Sequence, residues 1–142
     1  MKIFLVEDNP GDVVLTREAL KEIIGPTFQM EVATDGAALS QIDLISEGKS
    51  QIPDVFFIDI NLPKRNGKEV FEHLRKKTVT QKSPVILIST SGRYEDRHFI
   101  NDENKPGIYI EKPMNFADFV HALRGALQKL EFNTTMLSSL IM

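Results

Sequence analysis

Val55-Phe56-Phe57-Ile58-Asp59-Ile60-Asn61-Leu62-Pro63-Lys64-Arg65-Asn66-Gly67 is the stretch that decides the fold. It opens as a continuous apolar run and ends in turn-forming residues. An apolar run of this length, without alternation, reads as a strand buried on both faces of a parallel sheet. In open parallel sheets the chemistry sits just beyond the carboxyl ends of the strands. Asp59 is carried to that edge, which makes it a candidate working group.

Three other segments end the same way. Ile3-Phe4-Leu5-Val6 leads to Glu7 and Asp8, Val85-Ile86-Leu87-Ile88 to Ser89, and Ile108-Tyr109-Ile110 to Glu111 and Lys112. Helical periodicity lies between the strands. Val13, Val14, Leu15, Ala19, Leu20 and Ile23 predict a helix over 11–24, entered through Asp8-Asn9-Pro10 and closed by Gly25-Pro26. Further helices are predicted over 37–47, 67–77 and 115–131, and a second strand over 28–33. Residues 93–100 have helical character, and 101–107 read as an irregular loop. Alternating strands and helices predict a parallel sheet covered by helices on both faces.

Composition narrows the function classes. A chain of 142 residues suits one domain with its own core. The net charge of −3 argues against a nucleic-acid partner, which needs a basic face. With no cysteine there are no disulfides and no cysteine-held metals. No signal-peptide pattern follows Met1, and no apolar run approaches the roughly 20 residues that span a bilayer. The expected setting is cytoplasmic, with no membrane partner.

If the first and third strands are neighbours, Glu7, Asp8 and Asp59 meet at one sheet edge. Clustered carboxylates raise the pKa of at least one member unless a cation neutralises them. Oxygen donors with access to water suit Mg²⁺. Lys112 adds a positive charge from the other side, and Ser89 adds a hydroxyl. The set suits in-line transfer of a phosphoryl group onto an aspartate.

In these residues the chain resembles the receiver domain of two-component response regulators. The motifs are Val6-Glu7-Asp8-Asn9, Asp59-Ile60-Asn61-Leu62-Pro63 with Gly67 eight residues on, Ser89 thirty residues after Asp59, and Lys112-Pro113. The resemblance implies an α/β fold: a doubly wound five-stranded parallel sheet in the order 2-1-3-4-5, a flavodoxin-like three-layer sandwich. It implies a receiver domain over 1–131, followed by a short tail, 132–142, with no output domain.

The resemblance also implies roles. Asp59 becomes the phosphoacceptor. Asp8, Asp59 and the Asn61 carbonyl would ligate Mg²⁺, with Glu7 acting mainly through a metal-bound water. Lys112 would pair with the phosphoryl group, and its bond to Pro113 would be cis. Ser89 takes the switch-hydroxyl position, with Thr90 after it, and Tyr109 the switch-aromatic position. Asn61 and Ser91 occupy positions that tune phosphate lifetime. The opening Glu7-Asp8-Asn9-Pro10-Gly11-Asp12 is similar to a narrower subset, including regulators that work with bacterial phytochrome kinases. The implied partners are a sensor histidine kinase, a downstream protein target and a second copy of the chain in a homodimer.

Each residue also has a plainer reading. Asp59 alone could cap the turn that follows it. Glu7 and Asp8 could be a helix-entry pair favoured by the dipole. Tyr109 could be packing, and a neighbouring hydroxyl in Ser89-Thr90-Ser91 could be the donor. His73, His98 and His121 read as solvated residues with no metal role. The apolar residues of the tail read as a frayed extension or as a dimer contact. An aspartyl-phosphate-forming phosphohydrolase is the enzyme alternative. Asn61 counts against it, because such enzymes need a second Asp two residues after the nucleophile. A phosphorylation-independent interaction module is the third alternative.

Overall fold

The computed structural model describes residues 1–90, 92–100, 106–112 and 115–130. Ser91, Pro113, most of the 101–107 loop and the tail 132–142 lie outside the described residues.

Five strands form one parallel sheet: β1 (Lys2–Val6), β2 (Gln29–Ala33), β3 (Val55–Asp59), β4 (Val85–Ser89) and β5 (Gly107–Glu111). Their order is β2-β1-β3-β4-β5, as expected for a doubly wound sheet. The helices are α1 (Pro10–Ile24), α2 (Ala38–Ser46), α3 (Gly67–Lys76), α4 (Tyr94–Arg97) and α5 (Phe116–Lys129). The helical stretch read over 93–100 shortens to the four residues of α4. Among the described residues, no helix is long and apolar enough to cross a membrane.

The central strands explain their uninterrupted apolar sequence. In β3, Val55 and Phe57 face one core with α1 and α5, while Phe56 and Ile58 face the other with α2 and α3. In β4, Ile86 and Ile88 point to the first core and Val85 and Leu87 to the second. Both faces are dry, so neither tolerates a polar residue until the strand ends. A fully buried Phe57 contributes about 2–3 kcal/mol through its apolar area.

Helix boundaries follow capping chemistry. The Asn9 side chain accepts the N–H groups of Gly11 and Asp12, and Pro10 takes the first turn, where its missing N–H costs nothing. Gly25 at φ 83° and Gly48 at φ 76° close α1 and the turn after α2 in a backbone region that disfavours side chains. Asn66 and Asn115 cap α3 and α5 in the same way as Asn9.

Gly67 has a separate reason. A β-carbon there would overlap the Asp59 carbonyl, because the start of α3 packs directly on the backbone that ends β3. The Gly67 N–H donates to the Ile60 carbonyl at 3.0 Å, which fixes that approach.

Candidate phosphoacceptor site

Register brings the strand-end residues together. Val6 pairs with Ile58, and Asp59 pairs with Ile88. Glu7 and Asp59 therefore emerge side by side. The Lys112 N–H donates to the Ser89 carbonyl at 2.7 Å, which holds the lysine backbone to the end of β4. Since Phe57 faces the α1 and α5 core, Asp59, two residues on, points to the same side.

Asp59 is 7% exposed and Glu7 is 5% exposed. Asp59 accepts the Asn61 N–H at 2.8 Å, and Glu7 accepts the Asp8 N–H at 2.9 Å. One carboxylate oxygen from each of Glu7, Asp12 and Asp59 lies within 4.8 Å of the others. Asp8 is not a member of this triple. Its Oδ1 accepts the Asp35 N–H at 2.7 Å. The expected meeting of Glu7, Asp8 and Asp59 is thus redrawn: the first turn of α1 swings Asp12 into the cluster, while Asp8 ties the end of β1 to the loop after β2.

Asp35 extends that tie. It is buried, accepts the Lys64 N–H, and has Arg65 Nε 3.4 Å from its Oδ1. Three loops around the acidic cluster are joined through this one residue, by its backbone N–H to Asp8 and its side chain to Lys64 and Arg65.

The charge balance of the site is negative. Burial is the main cause that pushes the Glu7 carboxyl up to about 7; the hydrogen bond and the charge of Asp59 push the same way, and Lys112 opposes them. A hydrogen bond between two carboxyl groups exists only while one of them holds a proton. Lys112 Nζ lies 2.8 Å from Asp12 Oδ2 and 3.5 Å from Glu7 Oε1. Burial alone would lower the Lys112 pKa, but the Asp12 hydrogen bond and the charges of Asp59, Glu7 and Asp12 raise it. One lysine does not neutralise three acids. Hard oxygen donors from Glu7, Asp12 and Asp59 within 4.8 Å of one another fit Mg²⁺.

Ser89, Thr90, Asn61 and Tyr109 form a second group. Ser89 is fully buried, and its hydroxyl donates to Asn61 Oδ1 at 3.1 Å. The Thr90 N–H and hydroxyl donate to the same oxygen at 3.0 and 3.2 Å. The Tyr109 and Ser89 hydroxyls share a hydrogen bond; burial raises the Tyr109 pKa, and this bond opposes the rise. Ser89, Thr90, Asn61 and Tyr109 are therefore one connected set, and Ser91 lies outside the described residues.

Asp12 is the site residue that sequence reasoning missed. It belonged to the quoted opening motif, but nothing in one dimension turned it toward Lys112, a hundred residues away. His73 is not merely solvated: its Nε2 lies 2.7 Å from Asp43 Oδ1 and links α3 to α2. Among the described residues, no histidine joins a cluster able to hold a metal.

Comparison with known proteins agrees with this geometry. The model of the response regulator receiver domain matches residues 3–124. The chain is 34% identical over 119 residues to the "Probable methanogenesis regulatory protein FilR2" of Methanothrix harundinacea, covering 82% of this chain and 74% of that one. It is 30% identical over 125 residues to the response regulator Rcp1 of Synechocystis, covering 87% and 84%. The solved phosphorylated cyanobacterial phytochrome response regulator RcpA superposes with a TM-score of 0.68 at 30% identity, over 89% of this chain and 91% of that one.

Proposed function

The chain belongs to the response regulator receiver domain family, and from that premise we propose that Asp59 accepts a phosphoryl group from a sensor histidine kinase. The observation that carries this reading is the gathering of Glu7, Asp12 and Asp59 within 4.8 Å beside Lys112. A carboxylate oxygen of Asp59 attacks phosphorus in line. The P–N bond of the kinase phosphohistidine breaks, and the imidazole leaves with its electron pair. Lys112 balances charge on the phosphoryl oxygens, and the Ser89 hydroxyl donates to one of them.

The reaction is proposed to depend on Mg²⁺. Asp8, Asp59 and the Asn61 carbonyl would hold the ion and Glu7 would act through its water, as the family resemblance implies; Asp12 lies within the same cluster. Bound Mg²⁺ would screen the incoming phosphoryl charge from the carboxylates. Ser89 then shifts toward the phosphoryl group and leaves Asn61. Tyr109 follows through its shared hydrogen bond, and the surface around β4 and β5 changes. Asn61 and Ser91 set how long the phosphoryl group lasts.

The output is association with another protein in a cytoplasmic setting, including a second copy of the chain. The narrower proposal is a bacterial phytochrome as the kinase. Its support is the resemblance to RcpA, described as a phytochrome response regulator, together with the opening motif from Glu7 to Asp12.

The test is acetyl phosphate or beryllofluoride with Mg²⁺, read by intact mass and backbone NMR. Wild type should respond and Asp59→Asn should not. Identical behaviour of the two proteins would sink the reading. Light scattering with and without beryllofluoride tests self-association.

A further inference from the structure

We propose that Asp12 is a positioning residue for Lys112: it holds the ammonium group away from Asp59 in the resting state and so weakens the site's grip on a phosphoryl group. The inference rests on Asp59 being the phosphoacceptor. It concerns a carboxylate that the receiver motifs do not assign.

An acid in the first turn of a helix has an ordinary explanation, the favourable end of the helix dipole. That explanation accounts for Asp12 facing the start of α1 but not for its partner. Lys112 comes from the end of β5, and its ammonium sits 2.8 Å from Asp12 against 3.5 Å from Glu7. The lysine backbone is held to Ser89, so only the flexible stem has to move for the charge to change partners. The Asp12 backbone is held as well. Its N–H is capped by Asn9, and its carbonyl accepts the Thr16 hydroxyl at 2.8 Å.

Two consequences share one sign. A phosphoryl group on Asp59 must draw Lys112 from Asp12, and its negative charge arrives beside the Asp12 carboxylate, which lies in the same 4.8 Å cluster. Both oppose phosphoryl binding. The cation sees the opposite, because Asp12 adds negative charge that favours Mg²⁺. Asp12 therefore trades phosphoryl affinity for metal affinity, and loss of the carboxylate shifts the two in opposite directions.

The experiment compares full-length wild type, Asp12→Asn and Asp12→Glu. Mg²⁺ is titrated alone, and beryllofluoride is titrated at saturating Mg²⁺, both followed by NMR. Asp12→Asn should bind beryllofluoride about fivefold more tightly, as fits a partly exposed ion pair, and Mg²⁺ more weakly than wild type. Asp12→Glu, which keeps the charge, should stay near wild type. Melting curves establish that both variants are folded. If Asp12→Asn weakens both ligands together, its role is merely structural and the proposal is overturned. Unchanged beryllofluoride affinity overturns it as well. If wild type itself fails to bind beryllofluoride, the phosphoacceptor reading falls, and this proposal falls with it.

Discussion

The side-chain carbonyl of Asn61 accepts the Ser89 hydroxyl at 3.1 Å, across the edge between β3 and β4. The same oxygen takes both donors of Thr90. Asn61→Ala removes an acceptor shared by three donors, of which the Ser89 hydroxyl is buried. The expected loss is about 1 kcal/mol, since water replaces part of the bonding at an exposed position. Amide exchange at Thr90 should speed up. An unchanged denaturation midpoint with unchanged Thr90 exchange would mean that the latch carries no weight.

Gly67→Ala tests the contact between α3 and the end of β3. The new methyl group meets the Asp59 carbonyl and the Ile60 Cα, both backbone atoms that cannot turn aside. Overpacking of this kind costs about 1–3 kcal/mol, and the shift falls on Asp59 itself. Urea denaturation should show the loss, and beryllofluoride affinity should fall with it. A variant as stable as wild type would show that the start of α3 has room to move.

Glu7 makes the metal-free protein sensitive to pH. Its carboxyl sits at about 7 when folded, against 4.5 as the ordinary value. The folded state therefore holds the proton more tightly than the unfolded state. That stabilisation is present in full below the unfolded value and is lost as pH rises from about 4.5 through about 7. The effect is on the order of 3 kcal/mol. Glu7→Gln should flatten the curve, and saturating Mg²⁺ should restore stability at high pH in wild type. A metal-free stability curve that is flat over this window would contradict the buried-acid assignment.

Lys68 and Asp96 form an ion pair at 2.6 Å that fastens α4 to the start of α3. Asp96 is 3% exposed, so removing the lysine alone leaves a carboxylate out of water. Lys68→Ala should cost about 2–3 kcal/mol, with Arg93 at 4.0 Å giving partial compensation. The double variant Lys68→Met with Asp96→Leu should be more stable than the single one. A double-variant loss equal to the sum of the two single losses would show that the residues act independently.

Much of this architecture is legible along the chain. Val55 to Ile58 and Val85 to Ile88 read as strands buried on both faces because both faces meet apolar helices. Asn9, Pro10, Gly25 and Gly48 mark helix ends because caps and positive φ angles depend on the local backbone. The four-residue α4 was less legible. The helical pattern over 93–100 is a local preference, and α4 occupies only part of it, with Lys68 of the preceding helix pairing to Asp96.

Sequence by itself determined which residues reach the carboxyl edge of the sheet. Strand period and helix caps are local properties, so Glu7, Asp59, Ser89 and Lys112 could be placed there without coordinates. The tertiary structure decided which of them touch. It turned Asp8 to the Asp35 N–H, brought Asp12 to Lys112, and set Asn61 against Ser89. Side-chain partners depend on the rotation of α1 against the sheet and on the path of the loops after β2 and β3. Those are fixed by the packing of two cores and by charges dozens of residues apart, and no local pattern encodes them.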